Sequence, residues 1–481
     1  MTLALQTPIY SSAARSLDRE AAELAFQMIQ QLEAKRVRNS VRQIAYDQKS
    51  LLEDLQISMP PQLRGVLEPV LGWPAKSVDV LANRISFERF VQPGEDSDVF
   101  GLNQIATENS FANEFAMAVT SALTHSVSFI TVSQGGDGDP DVLWLAKSAQ
   151  NATGLWDARG RRLKAGLSVL ARDEDGDTSQ IAVYLPDRVV TFTKSGRGWT
   201  TDAVANPTGR VLMEPIVFRP DLHRKFGRSR ISRAVLAHTG SAMRTIARSE
   251  VAAEFFAYPQ RYALGVDQQA FDANKWKATM STFMAISKDE DGDTPTVGAF
   301  PQQSMLPHTE QLRQWASLIA SESNIPLDEL GFPSDNPSSD AAIQSQRDPL
   351  RLVADSFIRG QGKPALRRLA ETSVMLRDGV DAAPADLGQV SAWFAPTLHI
   401  SDSAAADAVL KQVSVMPWLA DSPVILEKLG YSQDAIDRLL ADKRRAGGGS
   451  RLERVVEAAR EVNSGVSSRL PVSTSNESDD G

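Results

Sequence analysis

The residues best suited to chemistry are two copies of one acidic hexapeptide, DEDGDT at 173–178 and again at 289–294, with a related GDGD at 136–139. Carboxylates at alternate positions can hold a divalent cation, and a cation so held would activate water or a phosphoryl group. The spacing departs from a helix-loop-helix calcium loop. Gly stands fourth rather than sixth, and Tyr184 and Phe300 occupy the places where a bidentate Glu is needed. Asp-Gly between alternating apolar runs is the hairpin signal, so both copies are read as turns. A metal-dependent phosphoryl-transfer or hydrolytic enzyme built on these carboxylates stays as the alternative. The five histidines, at 125, 223, 238, 308 and 399, form no close pair and no HExxH. Neither a GxSxG elbow nor a GxxxxGK[ST] loop occurs, and the absence of cysteine excludes thiolate chemistry. No catalytic residue, metal or cofactor is therefore expected, and the chain reads as a non-enzyme.

The second constellation is cationic. FGRSRISRAVLAHTGSAMRTIARSEVAAEFFAYPQR, from Phe226 to Arg261, runs without proline from a glycine turn at Gly227 to Pro259. It predicts one helix of about 40 Å at 1.5 Å per residue, weakened only at Gly240. At 100° per residue, Arg230, Arg233, Arg244 and Arg248 fall within a stripe of about 60°, with Glu250 and Glu254 well away from it. The stripe admits three readings: phosphates of DNA, acidic faces of a neighbouring subunit, or a solvated face. The length of the helix and the opposing glutamates favour the subunit contact. A formal charge of −9 argues against a surface that grips nucleic acid throughout, though not against one that lets a duplex slide past.

The elements that must position these groups are mixed. Helical periodicity covers 16–57, Val78 to Ile85 and Ala106 to His125, the last with Phe111, Phe115 and Val119 as packing residues on one face. From Ser126 to about Trp199 the period changes to two, predicting an antiparallel β-meander with Asp-Gly turns. An irregular connection fills 207–227. After the long helix, 260–266 and 296–300 read as extended, 270–285 as helical and 308–323 as a second long helix. IPLDELGFPSDNPSS then lacks an apolar face. A helix follows to about Leu376, kinked at Pro349 and between Gly360 and Pro364. Trp393 to Ile400 reads as a strand, and three short helices start near Ser403, Ser422 and Ser432. The fold class is α+β, mainly α, in several regions rather than one core. The first residues lack a secretory pattern and no run suits a transmembrane helix, so no membrane is expected as a partner.

At Phe226–Arg261 the chain resembles the stem-helix region of tailed-bacteriophage portal proteins. Three further blocks resemble that family in the same order: Tyr46–Phe90 with LGWPAKSVDVLANRISFERF, Ile319–Ser339 with SNIPLDELGFPSDNPSS, and Ala404–Arg445 around VMPWLADSPVILEKLGYSQDAIDRLL. The resemblance implies a portal-type ring subunit, in about twelve copies, at one capsid vertex. It implies a wing over 1–227, stem helices at 228–257 and 307–323 flanking a clip at 258–306, and a tunnel loop at 324–340. A kinked long helix with a wing strand follows at 341–401, then a helical crown at 402–462 and a disordered tail at 463–481. The channel would be lined by Asp335, Asn336, Pro337, Ser338 and Ser339. The implied partners are double-stranded DNA in passage, the terminase large subunit, the major capsid and scaffolding proteins, and the head-completion or connector proteins. The implied location is the virion, with host cytoplasm during assembly. A monomeric scaffold or adaptor is the remaining rival.

Overall fold

The period-two region folds into two separate sheets instead of the single meander its pattern predicts. β2 (Val127–Gln134) pairs on one side with β3 (Val142–Ser148) and on the other with β9 (Met213–Val217), giving the order β3-β2-β9. β4 (Ala152–Asp157), β5 (Arg162–Arg172), β6 (Thr178–Tyr184), β7 (Arg188–Ser195) and β8 (Gly198–Ala205) form a second, consecutive antiparallel sheet. Alternation marks a strand but names no partner, which is why the split is invisible in the pattern. β9 lies in the stretch expected to be irregular, and Pro215 within it sits opposite Phe129 on an edge strand, where a missing N–H costs no ladder bond. This computed structural model describes residues 18–49, 68–92, 98–196, 198–257, 261–264, 296–299, 304–333, 340–398, 402–431 and 435–445.

Four helices precede or join the first sheet: α1 (Arg19–Tyr46), α2 (Trp73–Ala82), α3 (Leu102–Glu108) and α4 (Phe111–His125). The predicted helix over 106–125 is broken at Asn109–Ser110, where Ser110 has φ 48°. Asn109 causes the break by serving the edge of β3. Its Nδ2 donates to Val142 O and its Oδ1 accepts from Trp144 N, both at 2.8 Å. α4 then lays Phe111, Phe115 and Val119 into the core, fully buried as packing residues. They join Phe87 of β1 (Phe87–Val91), Trp144 and Phe394 of β12 (Ser391–Phe394) in an aromatic cluster, with Phe111 and Trp144 edge-on at 4.5 Å. α1 covers the five-stranded sheet, setting Ala21, Ala25 and Met28 against Leu167, Val183 and Phe192.

The long helix after residue 339 has the interruption its glycines predict. α7 (Asp340–Phe357) contains Pro349 and passes into a π-helical turn, Ile358–Gly362, before α8 (Lys363–Asp378). Pro364 cannot donate to Gly360, and the widened turn absorbs the missing bond. α8 is anchored in the core: Trp144 Nε1 donates to Ser373 Oγ at 2.7 Å, and Arg368 closes on Glu214 of β9. The chain divides into two units at Thr397 and Leu398. The second holds α9 (Asp402–Val415), a 3-10 turn at Pro417–Asp421, α10 (Val424–Lys428) and α11 (435–445) around Val409, Leu419 and Ile425. The starts of α9 and α10 agree with those expected near Ser403 and Ser422, and Ser432 lies outside the described residues.

Candidate functional site

Of the residues expected to act, Arg233, Arg244, Arg248, Glu250 and Glu254 lie on α5 (Arg233–Ala257), which pairs with α6 (Leu306–Ser323). The two helices are antiparallel, because contacts that rise in number along one fall along the other. Ser232 Oγ donates to Glu322 Oε1 at 3.0 Å, and Thr245 Oγ1 donates to Gln311 Oε1 at 3.2 Å. Trp315 Nε1 donates to the same Thr245 hydroxyl at 3.2 Å, and its ring stacks on His238 with centroids 5.9 Å apart. Ala242, Ala316 and Ile319 join the buried core, and Met243 and Ala247 of α5 are buried as well. The buried residues of the pair are mostly small, while Leu306 and Leu318 of α6 are exposed.

The distal end of the pair carries β10 (Arg261–Leu264) and β11 (Thr296–Ala299), which pair antiparallel from Arg261 opposite Ala299 to Leu264 opposite Thr296. The helix expected at 270–285 and the second DEDGDT, at 289–294, lie outside the described residues. The first DEDGDT is the turn between β5 and β6. Asp173 Oδ1 accepts from Asp177 N, and Asp173 Oδ2 accepts from Lys194 Nζ at 2.8 Å, which holds its carboxyl below the usual range. Among the described residues no group of three His, Asp or Glu side chains is placed to hold a metal ion. No helix among them is long and apolar enough to cross a membrane.

Of the arginine stripe, Arg233, Arg244 and Arg248 stand on α5, with Arg233 and Arg248 exposed and Arg244 half-buried. Arg244 donates to Ser241 Oγ at 2.9 Å. None of the three reaches a carboxylate among the described residues, and exposed Glu250 is likewise unpaired there. Glu254 lies in the last turns of α5. The expected channel residues Asp335, Asn336, Pro337, Ser338 and Ser339 lie outside the described residues.

Arg230 is a correction. It is not on the helix at all and is neither interface-facing nor DNA-facing in the folded chain. The helix begins later because Ser232 caps it, its Oγ accepting from Val235 N at 3.2 Å. Just before it, Ser229 Oγ donates to Thr124 O at 2.6 Å and accepts from Ile231 N at 3.0 Å, holding this segment out of helical conformation. Arg230 is thereby turned inward, 6% exposed. Its Nε donates to Ser77 O of α2 and a terminal nitrogen donates to Ser323 O at the C-terminal end of α6. Burial, with a smaller push from Arg219, presses the guanidinium down to about 9, so it stays charged at neutral pH. A cation at the carbonyl end of α6 also meets the negative end of that helix's dipole, which favours it. Arg230 therefore clasps the base of the helix pair to α2. Ser232, three residues before Val235, is the signal that could have set the helix start, and no sequence signal marks the clasp.

Gly227 makes the turn that delivers this segment. Its φ is +70°, and a Cβ there would stand 2.0 Å from Phe218 O. Beyond α6 the chain turns at Asn324 and forms a 3-10 turn, Leu327–Leu330, with Leu330 buried, so the start of the expected loop is ordered against α2 and α6.

A family model described as "Phage portal protein, SPP1 Gp6-like" matches residues 69–447. Comparison with curated proteins gives no match. Among solved structures, a chain from the virion of a native gene transfer agent (GTA) particle is 14% identical, with 75% of this chain and 90% of that chain covered and a TM-score of 0.39. A chain from the neck of an empty GTA particle computed with C6 symmetry is also 14% identical, with the same coverage and a TM-score of 0.43.

Proposed function

Since that model spans most of the sequence, the chain belongs to the SPP1 Gp6-like phage portal proteins, and we propose that its copies close into a ring through which double-stranded DNA is packaged and ejected. Its role as a portal, a head-tail connector of the virion, follows from the family. The finer reading, which the family resemblance implies, has about twelve copies in the ring, joined by head-to-tail contacts that close with cyclic symmetry. The terminase large subunit, and later the head-completion proteins, would dock at the end bearing β10 and β11. Capsid and scaffolding proteins would hold the ring at its vertex, with assembly in the host cytoplasm.

The observation that carries this reading is the antiparallel pair of α5 and α6. It is joined by small residues and polar rungs, clasped at its base by Arg230, and bears Arg233, Arg244 and Arg248, which reach no carboxylate among the described residues. Such a pair packs on the core through its buried side and leaves its arginines for neighbours to complete. In this reading α5 and α6 are the stem, 258–306 the clip, and Asp335–Ser339 the lining of the constriction.

The test is assembly of the full-length protein, followed by mass measurement and negative-stain imaging. Closed rings with a central hole are expected at moderate salt. A folded chain that stays monomeric at every concentration refutes the ring. Reversing Arg244 and Arg248 to Glu should weaken ring formation, because like charges then meet at each interface. Normal rings that fail to retain DNA would instead place the stripe on the channel. Normal rings and normal retention would leave it solvated.

A further inference from the structure

On one face of α1, at i, i+3 and i+7, stand Lys35, Arg38 and Arg42. With Arg224 and Lys225 of the segment before α5 they line a cleft of about 310 Å³ in the first unit. None of these five cations has a carboxylate within ion-pair distance among the described residues. The acids close by are already engaged: Asp221 takes Arg228 at 2.7 Å, and Asp47 Oδ1 accepts from Gln43 Nε2 at 2.8 Å. The positive charges are held against one another. Burial and then Arg38 lower Lys35, and burial, Arg38 and Arg224 press Arg42 down to about 10. The floor is neutral, since burial pushes His125 down to about 4 and its ring nitrogens sit 3.2 Å from Gln150 Nε2 and 3.4 Å from Ser121 Oγ.

The walls are built rather than draped. Lys35 Nζ lies 5.2 Å from the Phe226 ring centroid, and the Gly227 turn is locked by Arg228 N donating to Phe218 O at 2.9 Å. Ser229 is pinned beneath by its bond to Thr124 O. A chain of net charge −9 that concentrates unpaired cations in one rigid cleft has a site for a multiply charged anion. Arginine forks fit the edges of a tetrahedral oxyanion, and one dianion relieves several of these charges together.

We propose that this cleft binds a phosphate group, with Lys35, Arg38, Arg42 and Arg224 as its cationic wall. The source of the phosphate is either a free phosphate compound or the backbone of a nucleic acid. The test is calorimetric titration of the full-length protein with inorganic pyrophosphate at fixed ionic strength. One saturable site per chain is expected. Arg38→Gln and Arg224→Gln replace exposed side chains, so the fold should tolerate both, and each should weaken binding about tenfold, the effect of losing one charge-assisted contact. Displacement of pyrophosphate by a short DNA duplex would assign the nucleic-acid backbone, and failure to displace it would assign a free phosphate. No saturable binding overturns the proposal. So does unchanged affinity in both variants, or a site closed in assembled rings because a neighbour's carboxylate fills it.

Discussion

Replacing Arg230 with Ala separates a clasp from a contact to DNA. The side chain gives charge-assisted bonds to two carbonyls on two elements, Ser77 O of α2 and Ser323 O of α6. Each such bond contributes about 1.5–3 kcal/mol, a gross loss of about 3–6 kcal/mol. Ala also removes a buried charge that was costly to hold, and Ser77, within a helix, keeps its intrahelical partner. The net cost is therefore set at about 2–4 kcal/mol. Read as local opening, that is about 30-fold to about 1000-fold faster amide exchange where the base of α5 meets the end of α6, near residues 229–236 and 319–325. The assay is hydrogen exchange by mass spectrometry on wild type, Arg230→Ala and Arg230→Lys. Lysine carries the charge but not the fork, so it should recover at most half of the protection. Unchanged exchange in Arg230→Ala, together with a DNA-retention defect that deepens at low salt, would refute this account and return Arg230 to the channel.

Three more outcomes are expected. Burial pushes the Glu214 carboxyl from 4.5 up to about 7 against the pull of Arg368, with Glu371 adding to the rise and Arg210 opposing it. A carboxyl raised on folding favours the fold below about 4.5 and loses that contribution as pH climbs through about 7, on the order of 3 kcal/mol over the window. Melting temperature should therefore fall more steeply between pH 5 and 8 in wild type than in Glu214→Gln, and parallel profiles would contradict it. Shortening 333–337 should leave rings intact but lower the DNA packaged, and Asp335→Lys with Asn336→Lys should slow translocation more at low salt than at high salt. Normal packaging in both would remove this loop from the channel.

Much of the fold could be read from the chain because its signals are local. Period two marked the strands, Gly360, Gly362 and Pro364 marked the interrupted helix, and the first DEDGDT marked a turn. What escaped depends on pieces distant in sequence. β9 looked irregular because its partner, β2, lies more than eighty residues upstream. The helix over 106–125 looked continuous because only β3 explains why Asn109 leaves it. Arg230 fitted a helical stripe by angle, yet Ser77 and Ser323 decide its orientation, and periodicity is blind to both. The cleft at Lys35 is of the same kind, since Arg224 meets Arg42 only after the five-stranded sheet has folded between them in sequence.

The π-helical turn at Ile358–Gly362 has a mechanical consequence. α8 is rooted in the aromatic core through Ser373 and Arg368, while the far end of α7 receives the chain from the segment expected to line the channel. Leu350, Ala354 and Phe357 of α7 and Ile358 of the turn are themselves buried in that core, so in the proposed ring a thrust on that end would be met by packing along α7 as well as at the wide turn. There the ladder of backbone bonds is at its poorest. In the proposed ring that turn would be where the rod of α7 and α8 bends most readily, a hinge of five residues between the end facing the channel and the anchored α8.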